Sequence, residues 1–373
     1  MLLAIGALGY QVVGPRLAAA GQSGPATVTA VLAADARAGA AVAELSRTYS
    51  GVSRSWREAN ALGAIIQYMQ ETGSRAYLAD VTTTYQEHLR PGHFHGFLNG
   101  FYDDEGWWAL TWVRAYDLTG NPAYLRTAKV IFANLTKGWS SVCGGGVRWN
   151  KRLPYKDAIS NELFLQIAAQ LHMRIPGDTR YARWALREWA WFRASGMIER
   201  SGLVADGLQP DCRPVQSGPA WTYNQGGLIG GLVYLSQMTG QPALLGIAEK
   251  TAGAVLHSKV LDPGGILNEP CPLVLTCGND APTFKGIFIQ DLRLLYDHTK
   301  VPAYLAFLQH NAESMWALDR RGAVFGLQWN GPFDINDNAR QVSAVDLLNA
   351  QLNLPGQHAA PPAAQAPEAT PAP

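Results

Sequence analysis

The sequence predicts an all-α protein, an (α/α)6 barrel in which six inner helices alternate with six outer helices. A short turn motif recurs five times, as "TGSRAYL" from residue 72, "TGNPAYL" from 119, "PGDTRYA" from 176, "TGQPALL" from 239 and "TKVPAYL" from 299. The stretch before each turn is apolar on nearly every side, and the stretch after it has one polar face. Six such pairs favour a closed toroid over an open solenoid of helical hairpins.

The segments before the turns predict inner helices that are buried all round, such as "WWALTWVRAYDL" and "GGLIGGLVYLSQM". Inner helices are expected to start near Ser55, Glu105, Ile159, Gln225, Lys285 and Asn338. Outer helices are expected to start near Ala26, Ala76, Pro122, Thr179, Pro242 and Pro302. Glycine ends the first helix of a pair, and proline or a small polar residue starts the second. Short β pairs are expected in the loops around "GGGVRWN" and "GAVFGLQWN".

The two ends of the chain differ in composition from the barrel. The apolar run at residues 2–13 is too short for a comfortable membrane span, and small residues follow at 18–20. We therefore expect residues 1–24 to be a signal-like or anchor segment, although a basic n-region is missing. Residues 25–355 form the predicted catalytic domain, and the Pro/Ala-rich residues 356–373 a disordered tail. This organisation predicts a secreted or cell-envelope protein, with the N-terminal segment as a candidate for membrane association.

Charge and motif content exclude several function classes. The net charge is +1, from 30 basic and 29 acidic residues, so nucleic-acid binding is not expected. The "GGGVRWN" stretch lacks the lysine and the helix of a phosphate loop. His93 and His95 lack a third ligand, and no cysteine spacing suggests zinc. We therefore expect no metal and no cofactor.

Four cysteines leave the redox state open. An even number fits an oxidising compartment, and Cys271 and Cys277 are close enough to bridge within one loop. Free buried cysteines are the alternative, and the pairing of Cys143 and Cys212 stays open as well.

The long loops that enter the inner helices hold most of the polar and aromatic residues. They lie at the barrel end opposite the short turns, so function is predicted there, around the N-termini of the inner helices. In "FYDDEGWW", Asp103 and Asp104 stand at such a start. One aspartate could cap the helix, but two beside Glu105 crowd three like charges. At a loop-to-helix junction both carboxyls can reach one cleft, at a separation on the order of 5 Å, which suits a retaining glycosidase.

Aromatic and amide side chains near these starts are candidates for sugar binding. Trp107, Trp108 and Trp112 have helical spacing and are assigned to the core. Glu162 could be only a first-turn acid and Asp206 only a turn residue. The predicted substrate-binding set is Trp56, Asn99, Tyr102, Trp149, Asn161, Glu162, Asp206, Trp221, Tyr223, Asn224 and Gln225.

Six segments together resemble glycoside hydrolase family 76, the endo-α-1,6-mannanases. These are "YDDEGWWALTWVRAYDLTGN", "CGGGVRWN", "KDAISNELFL", "GLVADGL", "WTYNQGGLIGGLVYL" and "FKGIF", in the family's order from about Trp56 to Ile289. The resemblance implies an (α/α)6 barrel that hydrolyses α-1,6-linked mannan backbones with retention, with Asp103 as nucleophile and Asp104 as general acid/base. Two features depart from the family pattern: Arg148 stands where many relatives have an aromatic residue, and "FIQDL" follows "FKGIF". Both departures concern subsite specificity.

Other functions compete with a mannan hydrolase. A transglycosidase of the same fold would use a sugar hydroxyl in place of water. A non-catalytic mannan-binding protein is a further alternative, against which the intact aspartate pair argues. A sugar epimerase of the same architecture would depend on histidines, which are scarce near the predicted site. The expected partner is a mannan or a mannose-containing glycan, and the expected state is a monomer.

Overall fold

The computed structural model describes residues 25–90, 96–215, 220–271 and 278–354. The compact body is Ala34–Leu352. Residues 1–24 and 356–373, together with His93, His95 and Cys277, lie outside the described residues, so the predictions made for them stay predictions. No helix within the described ranges is long and apolar enough to cross a bilayer.

Twelve α-helices in the described part of the chain alternate between an inner and an outer ring. The inner helices are α2 Trp56–Thr72, α4 Tyr102–Thr119, α6 Ala158–Arg174, α8 Thr222–Thr239, α10 Ala281–Thr299 and α12 Asn338–Asn349. The outer helices are α1 Pro25–Thr48, α3 Leu78–Leu89, α5 Pro122–Leu135, α7 Arg180–Ala194, α9 Ala243–Leu256 and α11 Pro302–Leu318. All twelve begin close to their predicted starts, and the largest difference lies between Lys285 and the observed Ala281.

The inner helices close into a ring. Each contacts the next inner helix along the chain, and α12 contacts α2. At this closure Asn349 Nδ2 donates a hydrogen bond to the Ala64 carbonyl of α2, at 2.9 Å. In α8, glycine allows close approach to α10, since a Cβ at Gly226 would lie 2.7 Å from Phe288 Cα. The (α/α)6 barrel is therefore confirmed.

The recurring turns gather at one end of the barrel because each follows the C-terminal end of an inner helix. Gly73, Gly120 and Gly240 terminate α2, α4 and α8 with φ of 72°, 70° and 68°. This left-handed conformation costs glycine little and any residue with a Cβ more. Asn121 then caps α5 by accepting from Ala123 N at 3.0 Å. The sequence motif is thus a helix stop followed by a helix start.

Two short antiparallel pairs lie in the long loops among the described residues. Strand β1, Lys156–Asp157, pairs with β2, Gly207–Leu208, and strand β3, Arg320–Arg321, pairs with β4, Val324–Phe325. The second pair overlaps the predicted "GAVFGLQWN" region. Around "GGGVRWN" the prediction was wrong in detail, because only isolated bridges form there and the strand starts at Lys156.

A disulfide joins two of the loops that enter the inner helices. Cys143, before α6, bonds to Cys212, before α8, with 5.2 Å between their Cα atoms. Cys271 is also disulfide-bonded, and the described cysteines include none that is free. The alternative of free buried cysteines is therefore excluded for the described cysteines.

Replacing both Cys143 and Cys212 by serine is expected to lower the free energy of unfolding by about 4 kcal/mol, because the bond closes a long loop of the unfolded chain. The two residues are 69 positions apart. Urea denaturation followed by circular dichroism measures the change. If the serine variant has the same urea midpoint as the wild type and the same slope of free energy against urea, the disulfide does not restrain the unfolded chain.

Buried carboxyl groups on the inner helices make stability depend on pH. Burial raises the pKa of Asp291 to about 8 and that of Asp346 to about 7. Each folded-state value lies above that of an unfolded carboxyl, so the folded state holds a proton that the unfolded chain has lost. The contribution is complete at low pH and is lost as pH rises through the folded-state pKa.

We therefore expect the free energy of unfolding to fall between about pH 4 and pH 8, by up to about 1.4 kcal/mol per pH unit for each such proton. Asp291→Asn should flatten this dependence, because the amide has no proton to lose. Asp297→Asn, at a partly exposed carboxylate on the same helix, is the matched control. Equal pH slopes for Asp291→Asn and the wild type would contradict this expectation.

Candidate active site

The aspartate pair lies in the first turn of α4. The helix begins at Tyr102, and the N-cap residue Phe101 makes no side-chain capping bond. The interpretation of one aspartate as the N-cap is therefore wrong, because Asp103 and Asp104 are both already helical. Their carboxylates still lie at the positive end of the helix dipole, which favours the ionised form of a nearby carboxyl.

Glu105, the third acid of this turn, points into the protein and serves the structure. Its carboxylate is fully buried and accepts hydrogen bonds from Asn99 N at 2.9 Å, Asn134 Nδ2 at 2.5 Å and Lys151 Nζ at 2.6 Å. These bonds attach the loop before α4, the last turn of α5 and the loop after α5 to the start of α4. Glu105 thereby fixes the position of the two aspartates before it.

Asp103 lines a cavity of about 260 Å³. Its Oδ2 accepts a hydrogen bond from Trp149 Nε1 at 3.1 Å, whereas its Oδ1 is buried and has no hydrogen-bond partner. Burial raises the pKa of Asp103 well above its usual range, and the negative charges of Asp157 and Asp104 add to the effect. Asp103 is thus a buried carboxyl in the wall of a ligand-sized cavity, and one of its oxygens has no hydrogen-bond partner.

Asp104 has a different environment from its neighbour. Its Oδ2 accepts from Asn99 Nδ2 at 2.6 Å, and the residue does not belong to the cavity lining. Burial raises the pKa of Asp104 to about 6, the Asn99 hydrogen bond opposes this shift, and the charge of Asp280 adds to it. A carboxyl with this pKa can hold a proton and release it near neutral pH.

The cavity is built at the N-terminal ends of five inner helices, at the end of the barrel where the sequence predicted function. Its walls combine aromatic rings with carboxyl groups, a combination that suits a polyhydroxyl ligand. The lining residues are Trp56, Asp103, Trp107, Trp149, Tyr155, Asp157, Asp206, Tyr223, Asp280 and Phe284.

Four predicted substrate-binding residues lie in this lining, namely Trp56, Trp149, Asp206 and Tyr223. Trp56 Nε1 donates to Asp280 Oδ1 at 3.2 Å. The Tyr223 ring stacks on Phe284 with 3.9 Å between ring centroids, and its hydroxyl donates to Asp206 Oδ1 at 3.3 Å. One wall of the cavity is thus aromatic and ends in a hydrogen-bonded carboxylate.

Three predicted residues lie outside the cavity lining and form hydrogen bonds with loop backbones or with a lining residue. Asn161 is fully buried and binds both the amide and the carbonyl of Val147, at 2.6 and 3.0 Å. Gln225 does the same for Val204, at 2.8 and 3.0 Å. Asn224 Nδ2 donates to Asp206 Oδ1 at 2.9 Å and so orients that carboxylate.

The remaining predicted residues also lie outside the lining. Asn99 binds Asp104, as described above. Tyr102 is buried with Lys151 Nζ 5.6 Å from its ring centroid, and Trp221 packs edge-on against Phe284. Glu162 is buried, and neither of its carboxyl oxygens has a hydrogen-bond partner.

Five lining residues were not among the predicted site residues. They are Trp107, Tyr155, Asp157, Asp280 and Phe284. Trp107 was assigned to the core, where Trp108 and Trp112 do lie, but its ring reaches the cavity. Asp157 carries a signal that could have found it, because it directly precedes an inner helix and caps it. Among the described residues, no group of three or more His, Cys, Asp or Glu is placed to hold a metal ion.

Curated relatives of the chain are fungal proteins. Mannan endo-1,6-alpha-mannosidase DCW1 of Saccharomyces cerevisiae is 28% identical over 270 residues, which are 66% of this chain and 59% of that protein. The DCW1 mannan endo-1,6-alpha-mannosidase of Candida glabrata is 31% identical over 207 residues, 51% of this chain and 45% of its own length. The chain thus spans less than two-thirds of the length of these relatives.

Solved structures of α-1,6-mannanases have a similar fold. The α-1,6-mannanase GH76A of Salegentibacter sp. HEL1_6 superposes with a TM-score of 0.75 at 26% identity, covering 85% of this chain and 98% of that one. An inactive variant of that enzyme, with two consecutive aspartates changed to asparagine and α-1,6-mannotriose bound, superposes with a TM-score of 0.76 at 25% identity and the same coverage. The family model for glycosyl hydrolase family 76 matches residues 33–365. With that match across most of the chain, the protein belongs to glycosyl hydrolase family 76.

Proposed function

We propose that the protein is a retaining glycoside hydrolase that cleaves α-1,6-mannosidic linkages in the backbone of mannan-type polysaccharides. The observation that carries the proposal is the pair of consecutive carboxyls in different environments. Asp103 lines a cavity of about 260 Å³ and has one carboxyl oxygen without a hydrogen-bond partner, whereas Asp104, with a pKa of about 6, accepts a hydrogen bond from Asn99. The related mannanase whose two consecutive aspartates were replaced, described as inactive, supports the same assignment.

In the first step Asp103 Oδ1 attacks the anomeric carbon of a mannosyl unit in the cavity. A bond forms between the carboxylate oxygen and that carbon while the glycosidic carbon–oxygen bond breaks. Asp104 gives its proton to the leaving oxygen, so the shortened chain departs as a neutral alcohol. Trp149 Nε1 holds the other oxygen of Asp103 and fixes the direction of attack.

In the second step Asp104, now ionised, takes a proton from water. The resulting hydroxide equivalent attacks the same anomeric carbon and displaces Asp103. Two inversions restore the original α configuration. The transition states carry positive charge on the sugar ring, and the carboxyl-rich wall of the cavity stabilises that charge.

We further propose that the protein acts outside the cytoplasm. The disulfide between Cys143 and Cys212 fits an oxidising compartment, since such bonds are rare in reducing ones. The monomeric state expected from the sequence stays a prediction.

Incubation with linear α-1,6-mannan tests the proposal. We expect short α-1,6-mannooligosaccharides to accumulate, detected by anion-exchange chromatography, whereas linear β-1,4-mannan stays intact. Added acceptor sugars that divert the products into longer chains would favour the transglycosidase instead. Binding of the polymer without any product would contradict the hydrolase and indicate a non-catalytic mannan-binding protein.

A further inference from the structure

Phe101, the residue before the first turn of α4, carries an exposed aromatic ring that the two-step reaction above does not use. Its side chain makes no capping hydrogen bond, and 40% of the residue is exposed. Every other Phe, Tyr or Trp in the described part of the chain is buried or half-buried. An aromatic ring left in water costs free energy, so its surroundings show whether a ligand would cover it.

The ring of Phe101 lies just outside the proposed catalytic cavity. Its centroid is 5.1 Å from that of Trp149, a lining residue, and the two rings are tilted by 55°. The Trp149 ring centroid in turn lies 6.3 Å from that of Tyr155, a second lining residue, with the rings nearly perpendicular. A series of three aromatic rings therefore runs from the cavity wall to the protein surface. Flat apolar rings of this kind can stack against the apolar face of a sugar ring.

Backbone hydrogen bonds on both sides of Phe101 fix the position from which its ring projects. Tyr102 N donates to the Trp149 carbonyl at 2.8 Å, and Lys151 N donates to the Gly100 carbonyl at 3.0 Å. Phe101 therefore belongs to a bridge between the start of α4 and the loop that carries Trp149. A ring with two side-chain torsions on a fixed backbone loses little conformational entropy when a ligand covers it.

Trp149 separates Phe101 from the proposed chemistry. Trp149 Nε1 donates to Asp103 Oδ2 at 3.1 Å, whereas Phe101 contacts Trp149 and lies outside the cavity lining. We propose that Phe101 is a stacking platform for a mannosyl unit of the polymer outside the catalytic cavity. The inference rests on the proposed function, because it takes α-1,6-mannan as the ligand. Phe101 is a specificity-determining residue in this scheme and touches neither the reacting carbon nor the leaving oxygen.

Phe101→Ala removes the ring and leaves the backbone bridge in place. A platform remote from the reacting bond binds the substrate and the transition state equally, so its loss raises KM without lowering kcat. We expect KM for linear α-1,6-mannan to rise about 3- to 10-fold and kcat to stay within about twofold. In an Asp103→Asn background, which does not turn over, calorimetric titration should show the same loss of affinity for α-1,6-mannohexaose.

Two further substitutions separate stacking from plain apolar contact. Phe101→Tyr retains an aromatic face and should keep the wild-type KM within about twofold. Phe101→Leu retains an apolar side chain without a flat face and should behave like Phe101→Ala. Val130→Ala is the control for removing exposed apolar surface, since Val130 is 62% exposed on the outer helix α5. It should leave KM, kcat and affinity unchanged.

The outcomes distinguish this inference from the proposed function. If the wild type binds and hydrolyses mannan, and Phe101→Ala changes neither KM nor affinity, the platform is contradicted and the proposed function stands. A fall in kcat with an unchanged KM would also overturn the platform, because the ring would then act by positioning Trp149 against Asp103. So would a Phe101→Leu variant with the wild-type KM. A wild type that neither binds nor hydrolyses α-1,6-mannan would contradict the proposed function, on which the platform depends.

Discussion

The Asp103→Asn variant is expected to lose hydrolysis of α-1,6-mannan by at least about 10⁴-fold in kcat while it keeps its fold and its affinity for the oligosaccharide. Asparagine matches aspartate in shape, and its oxygen can still accept from Trp149 Nε1. An amide oxygen, however, does not form a stable ester with the anomeric carbon. The variant therefore cannot form the covalent intermediate, although its cavity stays intact.

Reducing-end assays measure the loss, and calorimetric titration with α-1,6-mannotetraose measures the binding that remains. Asp117→Asn is the control, because Asp117 lies at the opposite end of α4, where it pairs with Arg174 at 2.5 Å. That variant should hydrolyse mannan at close to the wild-type rate. A fully active Asp103→Asn protein would remove the proposed nucleophile.

The Asp104→Ala variant is expected to turn over mannan about 10²- to 10⁴-fold more slowly, because the leaving oxygen departs without a proton. The wild-type kcat/KM should fall as the pH rises above about 6, the pKa of Asp104, since only the protonated form can act as the acid. In the variant this part of the pH dependence should be absent.

Azide identifies the role of Asp104 more directly. The shortened side chain leaves room for a small anion, which needs no general base to attack the covalent intermediate. With an aryl α-1,6-mannobioside that has a good leaving group, we expect azide to accelerate the variant and to yield the α-glycosyl azide. Azide should not accelerate the wild type. The absence of acceleration, or a β-glycosyl azide, would contradict the assignment of Asp104.

The helices could be predicted from the sequence because their signals are local. Gly73 and Gly120 end helices within the repeated motif, and the apolar stretches before them need no knowledge of distant residues. The pairing of Cys143 with Cys212 depends instead on how two loops meet, and no spacing rule determines it. The same holds for the strand pair between Lys156 and Leu208.

Only part of the site could be predicted from the sequence. Asp103 and Tyr223 could be selected because they start inner helices in polar loops, and both line the cavity. Asn161 and Gln225 satisfy the same criterion, yet they hold the backbones of Val147 and Val204. A polar side chain at a helix start can face a ligand or a neighbouring loop, and only the tertiary structure distinguishes the two. Asp157 was missed although it directly precedes an inner helix, a position that the same criterion selects.

The central claim is that the reaction passes through a covalent intermediate on Asp103 and retains the α configuration. Proton NMR of the reducing end released from linear α-1,6-mannan in the first moments of the reaction tests it most directly, before mutarotation mixes the anomers. The proposal predicts that the α-anomer appears first and the β-anomer only later. Initial release of the β-anomer would mean direct displacement by water and would contradict the role given to Asp103.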